Sequence, residues 1–254
     1  MSEKLLRIWF VLILGLGFCS AAVGADFRVE NGVYSGSHKE PISQSLTVFH
    51  QGVVYDFLQE PAETIVFDKA AGRFTILDDA QRIRSELTTT TVDSFIQKLK
   101  DRAGKLQDPL MRFFADPVFI ERFDPSRGEL LLQSPLVNYL ANVSTVNDPA
   151  IATEYREFAD HNVRLSALLI PGSRPPFARL KLNDALARRG SVAREVILTI
   201  ALPGDKNRQP ATIRSEHILS LELSPADLER IQYARQSMSD YKLVAFDKYR
   251  QSKR

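Results

Sequence analysis

From Phe27 to Thr88 apolar and polar residues alternate with period two, in short runs separated by turn signals. Successive side chains of a strand point to opposite faces, so such a run buries one face and exposes the other. Leu46, Val48 and His50 alternate with Thr47 and Phe49, and Gln51-Gly52 reads as a tight turn. Val53 to Leu58 returns, with Val53, Tyr55 and Phe57 sharing a face. Glu63 to Asp68, Arg73 to Leu77 and Arg82 to Thr88 continue the pattern, and Gly72 suits a loop position of positive φ. Consecutive hairpins of this kind make an antiparallel meander with one buried face.

Helices are expected after the meander. Thr91-Val92-Asp93 opens one that carries Phe95, Ile96 and Leu99, with Gly104 as its stop. Pro109 and Pro117 divide residues 108–124 into two short helices. Strands return at Glu129 to Gln133 and Leu136 to Val143. Asp148-Pro149 then starts the clearest helix, with Ile151, Tyr155, Phe158, Leu165 and Leu169 at helical spacing and Pro171-Gly172 ending it. A weaker helix follows from Phe177 to Arg188. Arg194 to Leu202 reads as a central strand, 203–207 as an exposed hairpin loop, and Thr212 to Leu223 as an alternating strand. Ser224-Pro225-Ala226-Asp227 caps a helix, and Tyr241 to Tyr249 reads as a closing strand. The expected class is α+β: an antiparallel β-meander or half-barrel sheet, with helices inserted between later strands and packed on one face.

The N-terminus suggests a compartment. Lys4 and Arg7 precede an apolar run from Ile8 to Phe18, followed by the small residues of Ser20 to Ala25 and then polar Asp26. That order reads as a secretory signal peptide over residues 1–25, cut after Ala25, leaving residues 26–254 as a single exported domain, periplasmic or extracellular. The apolar run is too short to span a bilayer, which takes about 20 residues. Cys19, the one cysteine, falls within that leader, so the remainder has no disulfide, thiolate nucleophile or cysteine metal site. With 33 Lys and Arg against 31 Asp and Glu, the charge is near balance and argues against general nucleic-acid binding.

No catalytic or metal motif stands out, and no cofactor is expected. Gly-x-Ser-x-Gly is absent, and His38, His50, His161 and His217 are scattered rather than grouped at ligand spacing. His38 reads as an exposed loop residue and His161 as the solvated flank of the long helix. The adjacent acids Asp78 and Asp79 would point to opposite faces of a strand and cannot flank one substrate. Arg174, Arg179, Lys181, Arg188, Arg189 and Arg194 read as a solvated basic surface. His217 shares a strand face with Ile213, Leu219 and Leu221, which makes it either a hydrogen-bonded core residue or a polar group lining an apolar cavity.

The segments Gly52-Val53-Val54-Tyr55-Asp56-Phe57, Ile65-Val66-Phe67-Asp68 and Gly72-Arg73-Phe74-Thr75-Ile76-Leu77-Asp78 place an Asp near each turn. With the exported, cysteine-free order of elements, this texture resembles the periplasmic lipoprotein-carrier (LolA/LolB-like) architecture. The resemblance implies an incompletely closed sheet whose cavity shelters a lipid or acylated peptide. Val48, Tyr55, Phe57, Phe67, Phe74, His217 and Leu219 are then the candidate lining. The implied function is that of a non-enzymatic envelope protein binding an apolar or acylated ligand. The alternatives are an envelope interaction or scaffold module with a filled core, and a hydrolase assembled around His38 or His217.

Overall fold

The computed structural model describes residues 24–170, 172–201 and 210–253. The expected leader, apart from Gly24 and Ala25, lies outside them, as do the helix stop at Pro171 and the loop at 203–207. Six strands come first: β1 (Phe27–Ser35), β2 (Ser43–His50), β3 (Val53–Leu58), β4 (Glu63–Asp68), β5 (Arg73–Asp78) and β6 (Ile83–Thr88). Helices α1 (Thr89–Ala103) and α2 (Pro109–Ala115) follow, then β7 (Ile120–Asp124), β8 (Glu129–Gln133) and β9 (Val137–Thr145). Next come α3 (Pro149–Leu169), α4 (Phe177–Ala187), β10 (Ser191–Ile200) and β11 (Ala211–Ser220). The chain ends with α5 (Pro225–Asp240), β12 (Lys242–Leu243) and α6 (Phe246–Gln251).

The twelve strands of the described residues join one open sheet in the order β12-β6-β5-β4-β3-β2-β1-β11-β10-β9-β8-β7. Every neighbouring pair is antiparallel except β12 with β6. The protein is therefore α+β, a meander with helices between its later strands.

Local chemistry sets the turns. Gln51 and Gly52 both have positive φ, as a two-residue hairpin requires between His50 and Val53. Three longer hairpins share one device, an Asp at the end of the first strand whose Oδ1 accepts backbone N–H groups of the loop. Asp68 accepts from Ala71 at 2.9 Å, Asp78 from Gln81 at 2.9 Å, and Asp124 from Ser126 at 2.9 Å. Each loop closes on a residue of positive φ: Gly72, Arg82 and Gly128.

The sheet's two faces are covered differently. On the front, Phe27 stacks on Phe49 at 3.9 Å and Phe49 meets Phe158 of α3 edge-on. Phe67 and Phe74 stack at 4.6 Å, and α1, α3 and α6 complete this core. Further along the same face, α2 and α4 pack on β8 to β10 around Leu130, Tyr139, Leu182 and Ile200. Among the described residues α5 alone lies on the back, over Val48, Tyr55, Val66 and Leu77. A capping box between Ser224 and Asp227 starts α5, and Arg28 of β1 donates to both oxygens of Asp227 at 3.2 Å. The chain then passes round the β6 edge through β12 and lays α6 on the front, covering an edge that would otherwise offer unpaired backbone groups.

Three local expectations are corrected. Helix α1 is capped by Thr88, whose Oγ1 accepts from Thr91 N–H, and so begins before Thr91. Residues 120–124 form edge strand β7 rather than a second helix: Pro117 disrupts helical bonding, and the Asp124 turn returns the chain onto β8. The closing strand at 241–249 shrinks to Lys242–Leu243, because α5 delivers the chain to the edge with two residues in pairing reach before α6 starts.

Candidate functional site

Between the front face and α3 lies a cavity of about 710 Å³. Its origin is steric. On α3 the inward positions include the small Ala159, Val163 and Ser166, while the opposing strand β2 offers Ser43, Ser45 and Thr47. Short side chains on both walls leave a gap that the phenylalanines fill elsewhere on this face. Leu58, Ile65, Phe158 and Leu169 add apolar wall. At one end Tyr249 and Lys253 of the C-terminal segment close it, and Arg179 of α4 reaches in from another side. The volume is in the usual range of small-molecule sites, about 300–1,000 Å³.

A polar belt crosses the sheet side of the cavity, fixed by register. His217 of β11 faces Asn31 of β1, Asn31 faces Ser45 of β2, and the neighbouring Thr47 faces Asp56 of β3. Asn31 Oδ1 accepts only, so His217 Nδ1–H donates to it at 2.8 Å. Asn31 Nδ2 donates to Thr47 Oγ1 at 3.0 Å and to Ser45 Oγ at 3.2 Å. Thr47 Oγ1–H then donates to Asp56 Oδ1 at 2.8 Å. Every donor in the chain thus points from His217 towards Asp56.

Both ends of the belt are electrostatically unusual. Burial, with a smaller contribution from the Arg179 charge, pushes His217 down to about 3, so the imidazole is neutral and its Nε2 is an acceptor. That Nε2 is shut off from solvent and has no hydrogen-bond partner among the described residues. Asp56 is 4 % exposed. Burial raises its pKa, partly offset by the Thr47 and Ser45 hydroxyls, and no cation pairs with it among the described residues. The phenol of Tyr155, whose ring meets His217 edge-on, is likewise raised by burial.

A second charged cluster closes one end. Glu63 and Asp78 are register partners on β4 and β5, 7 % and 1 % exposed. The Lys253 ammonium donates to Asp78 Oδ2 at 2.7 Å and pairs with Glu63 Oε1. Burial alone would raise the Asp78 carboxyl, but hydrogen bonds from Lys253 and Gln81 outweigh it and hold the group below its ordinary value.

The seven residues singled out from sequence fall in three places. His217 lines the cavity. Phe67, Phe74 and Leu219 lie on the same face but pack into the adjoining core. Val48, Tyr55 and Phe57 lie on the back under α5, where Arg235 Nε donates to the Tyr55 hydroxyl at 3.0 Å. His161, expected to be solvated, sits 4.8 Å from the Phe67 ring, and burial lowers its pKa. Three residues after Phe158 and four before Leu165, it falls in the stripe that α3 turns inward. His38 is an exposed turn residue, and His50 Nδ1 lies 2.9 Å from Asp26. Asp78 and Asp79 diverge as expected, Asp79 accepting from the back-face Tyr241 hydroxyl at 2.8 Å. Of the basic residues, Arg188 and Arg189 both pair with Glu121. Among the described residues no group of three or more His, Cys, Asp or Glu could hold a metal ion, and no helix is long and apolar enough to cross a membrane.

The belt residues Asn31, Ser45, Thr47 and Asp56 were not anticipated. Their signal is a change of character along one face: β2 runs Ser43, Ser45, Thr47, Phe49 at alternate positions, polar and then apolar. No family model matches this chain, and no curated protein matches it.

Proposed function

We propose that this protein is an exported, non-enzymatic carrier or receptor that shelters the apolar chain of a lipid or acylated peptide beneath α3. The observation behind this reading is the cavity itself: a largely apolar space of about 710 Å³, walled by one face of an antiparallel sheet and a long helix. Burying about ten methylenes at ~0.8 kcal/mol each supplies ~8 kcal/mol, enough for micromolar binding before the costs of association. The Thr47 hydroxyl is held between the Asp56 carboxyl and the Asn31 amide, so the belt's groups suit orientation of a ligand better than bond cleavage. Delipidated protein titrated with a fluorescent fatty acid should bind one equivalent, displaceable by unlabelled fatty acid. A flat titration would defeat the proposal.

A second reading, an envelope interaction module, draws on a different observation. At the β7 edge Val118, Ile120 and Phe123 are exposed, by 77 %, 63 % and 38 %. Monomeric proteins usually guard such edges. Copurification of one stoichiometric protein partner, lost on Ile120→Lys, would favour it.

A further inference from the structure

Resting on the proposed binding of an apolar chain, we infer that the ligand carries a hydroxyl on or beside that chain, and that Asp56 is its hydrogen-bond partner. A purely hydrocarbon ligand needs a dry, nonpolar floor, and Leu or Val at positions 31, 45, 47 and 56 would supply one. The chain instead places four polar side chains there: Asn31 and Thr47 lead in series to the Asp56 carboxyl, and Ser45 accepts from Asn31. Buried polar groups are costly to leave without partners, so a floor of this kind favours ligands that satisfy it.

The chemistry of the partner follows from the belt's polarity. Thr47 Oγ1–H is committed to Asp56 Oδ1, and Asn31 spends its amide hydrogens on Thr47, Ser45 and the Val29 carbonyl. The groups next to Asp56 therefore have few donors left to offer a ligand, while the carboxyl retains hydrogen-bonding capacity. Burial without a cation favours the neutral acid, whereas the neighbouring hydroxyls favour the carboxylate. A ligand hydroxyl, able to donate and accept, serves either form. An ammonium would serve only the carboxylate, and it would enter a space already lined by Arg179, Arg250 and Lys253. At the other end of the belt His217 holds Asn31 Oδ1 and so fixes which way the Asn31 amide points. It acts as a positioning residue.

The test compares stearate with a series of hydroxystearates, the hydroxyl moved along the chain, on the delipidated full chain by displacement of a fluorescent fatty acid. At least one hydroxystearate should bind about tenfold more tightly than stearate, the equivalent of about 1.4 kcal/mol. In Asp56→Leu that preference should vanish. Equal affinities across the series in the unaltered protein, which needs no variant to fold, would overturn the hydroxyl inference and leave chain binding intact. A preference that persists in Asp56→Leu would likewise overturn the role of Asp56. If neither stearate nor any hydroxystearate displaces the probe, the underlying proposal fails and the inference with it.

Discussion

Replacing Lys253 with Met should destabilise the protein in a way that depends on pH. Met keeps an unbranched stem and removes the ammonium. Glu63 and Asp78, 7 % and 1 % exposed and facing each other across β4 and β5, would lose their shared cation. Removing one partner of a fully buried ion pair costs about 3–5 kcal/mol. The Lys253 side chain is 29 % exposed, and α6 can lift to rehydrate the acids, so the expected loss is nearer ~2 kcal/mol at pH 7. With a urea dependence of about 1–3 kcal/mol per molar, the unfolding midpoint should fall by about 1 M. The sign with pH follows from Asp78, whose folded-state pKa is depressed. Its contribution is present above the unfolded value of 3.8 and is lost as pH falls through the folded value. The deficit of Lys253→Met should therefore shrink in acid, where the Asp78 carboxyl takes up a proton. Urea unfolding of both proteins at pH 7 and about pH 3 measures it. An equal deficit at both pH values, or none at pH 7, would show that the cluster does not hold α6 down.

Two further predictions concern buried groups. His217 falls from 6.5 to about 3 on folding, so the unfolded chain binds a proton that the folded one refuses. Stability should drop by about 2–3 kcal/mol between pH 7 and about pH 4.5, and His217→Phe should remove most of that slope in urea titrations. A slope unchanged by the substitution would refute it. Asp227 is fully buried, caps α5 and accepts from Arg28. Asp227→Ala should cost about 3 kcal/mol, with amide exchange rising first in α5; uniform exchange across the sheet would contradict the anchoring role.

The meander was legible because its turns announce themselves. Gln51-Gly52 and the Asp that ends β4 are local signals, and Ser224-Pro225 with Asp227 marks α5 just as plainly. The candidate lining was legible only in part, because alternation tells which residues share a face but not which face a given helix will cover. Tyr55 and Phe67 look equivalent in sequence. Tyr55 pairs with Val66, which puts Phe67 on the opposite face from Tyr55, and the choice between faces is made by α3 and α5, far along the chain. The belt was missed because nothing local to Asn31, Thr47 or Asp56 separates a strand residue that faces solvent from one that a helix far along the chain will bury. β12 was overestimated because its length depends on where α5 sets the chain down, a tertiary matter.

Blocking the cavity from α3 tests the central claim most directly. Ala159 is a small residue of the helix wall, and Ala159→Trp would project an indole into the space opposite the belt. With unchanged circular dichroism and unfolding midpoint, the variant should lose displaceable fatty-acid uptake by at least about tenfold, while the unaltered protein binds one equivalent. Equal uptake by the two would mean that apolar ligands are held elsewhere on the molecule.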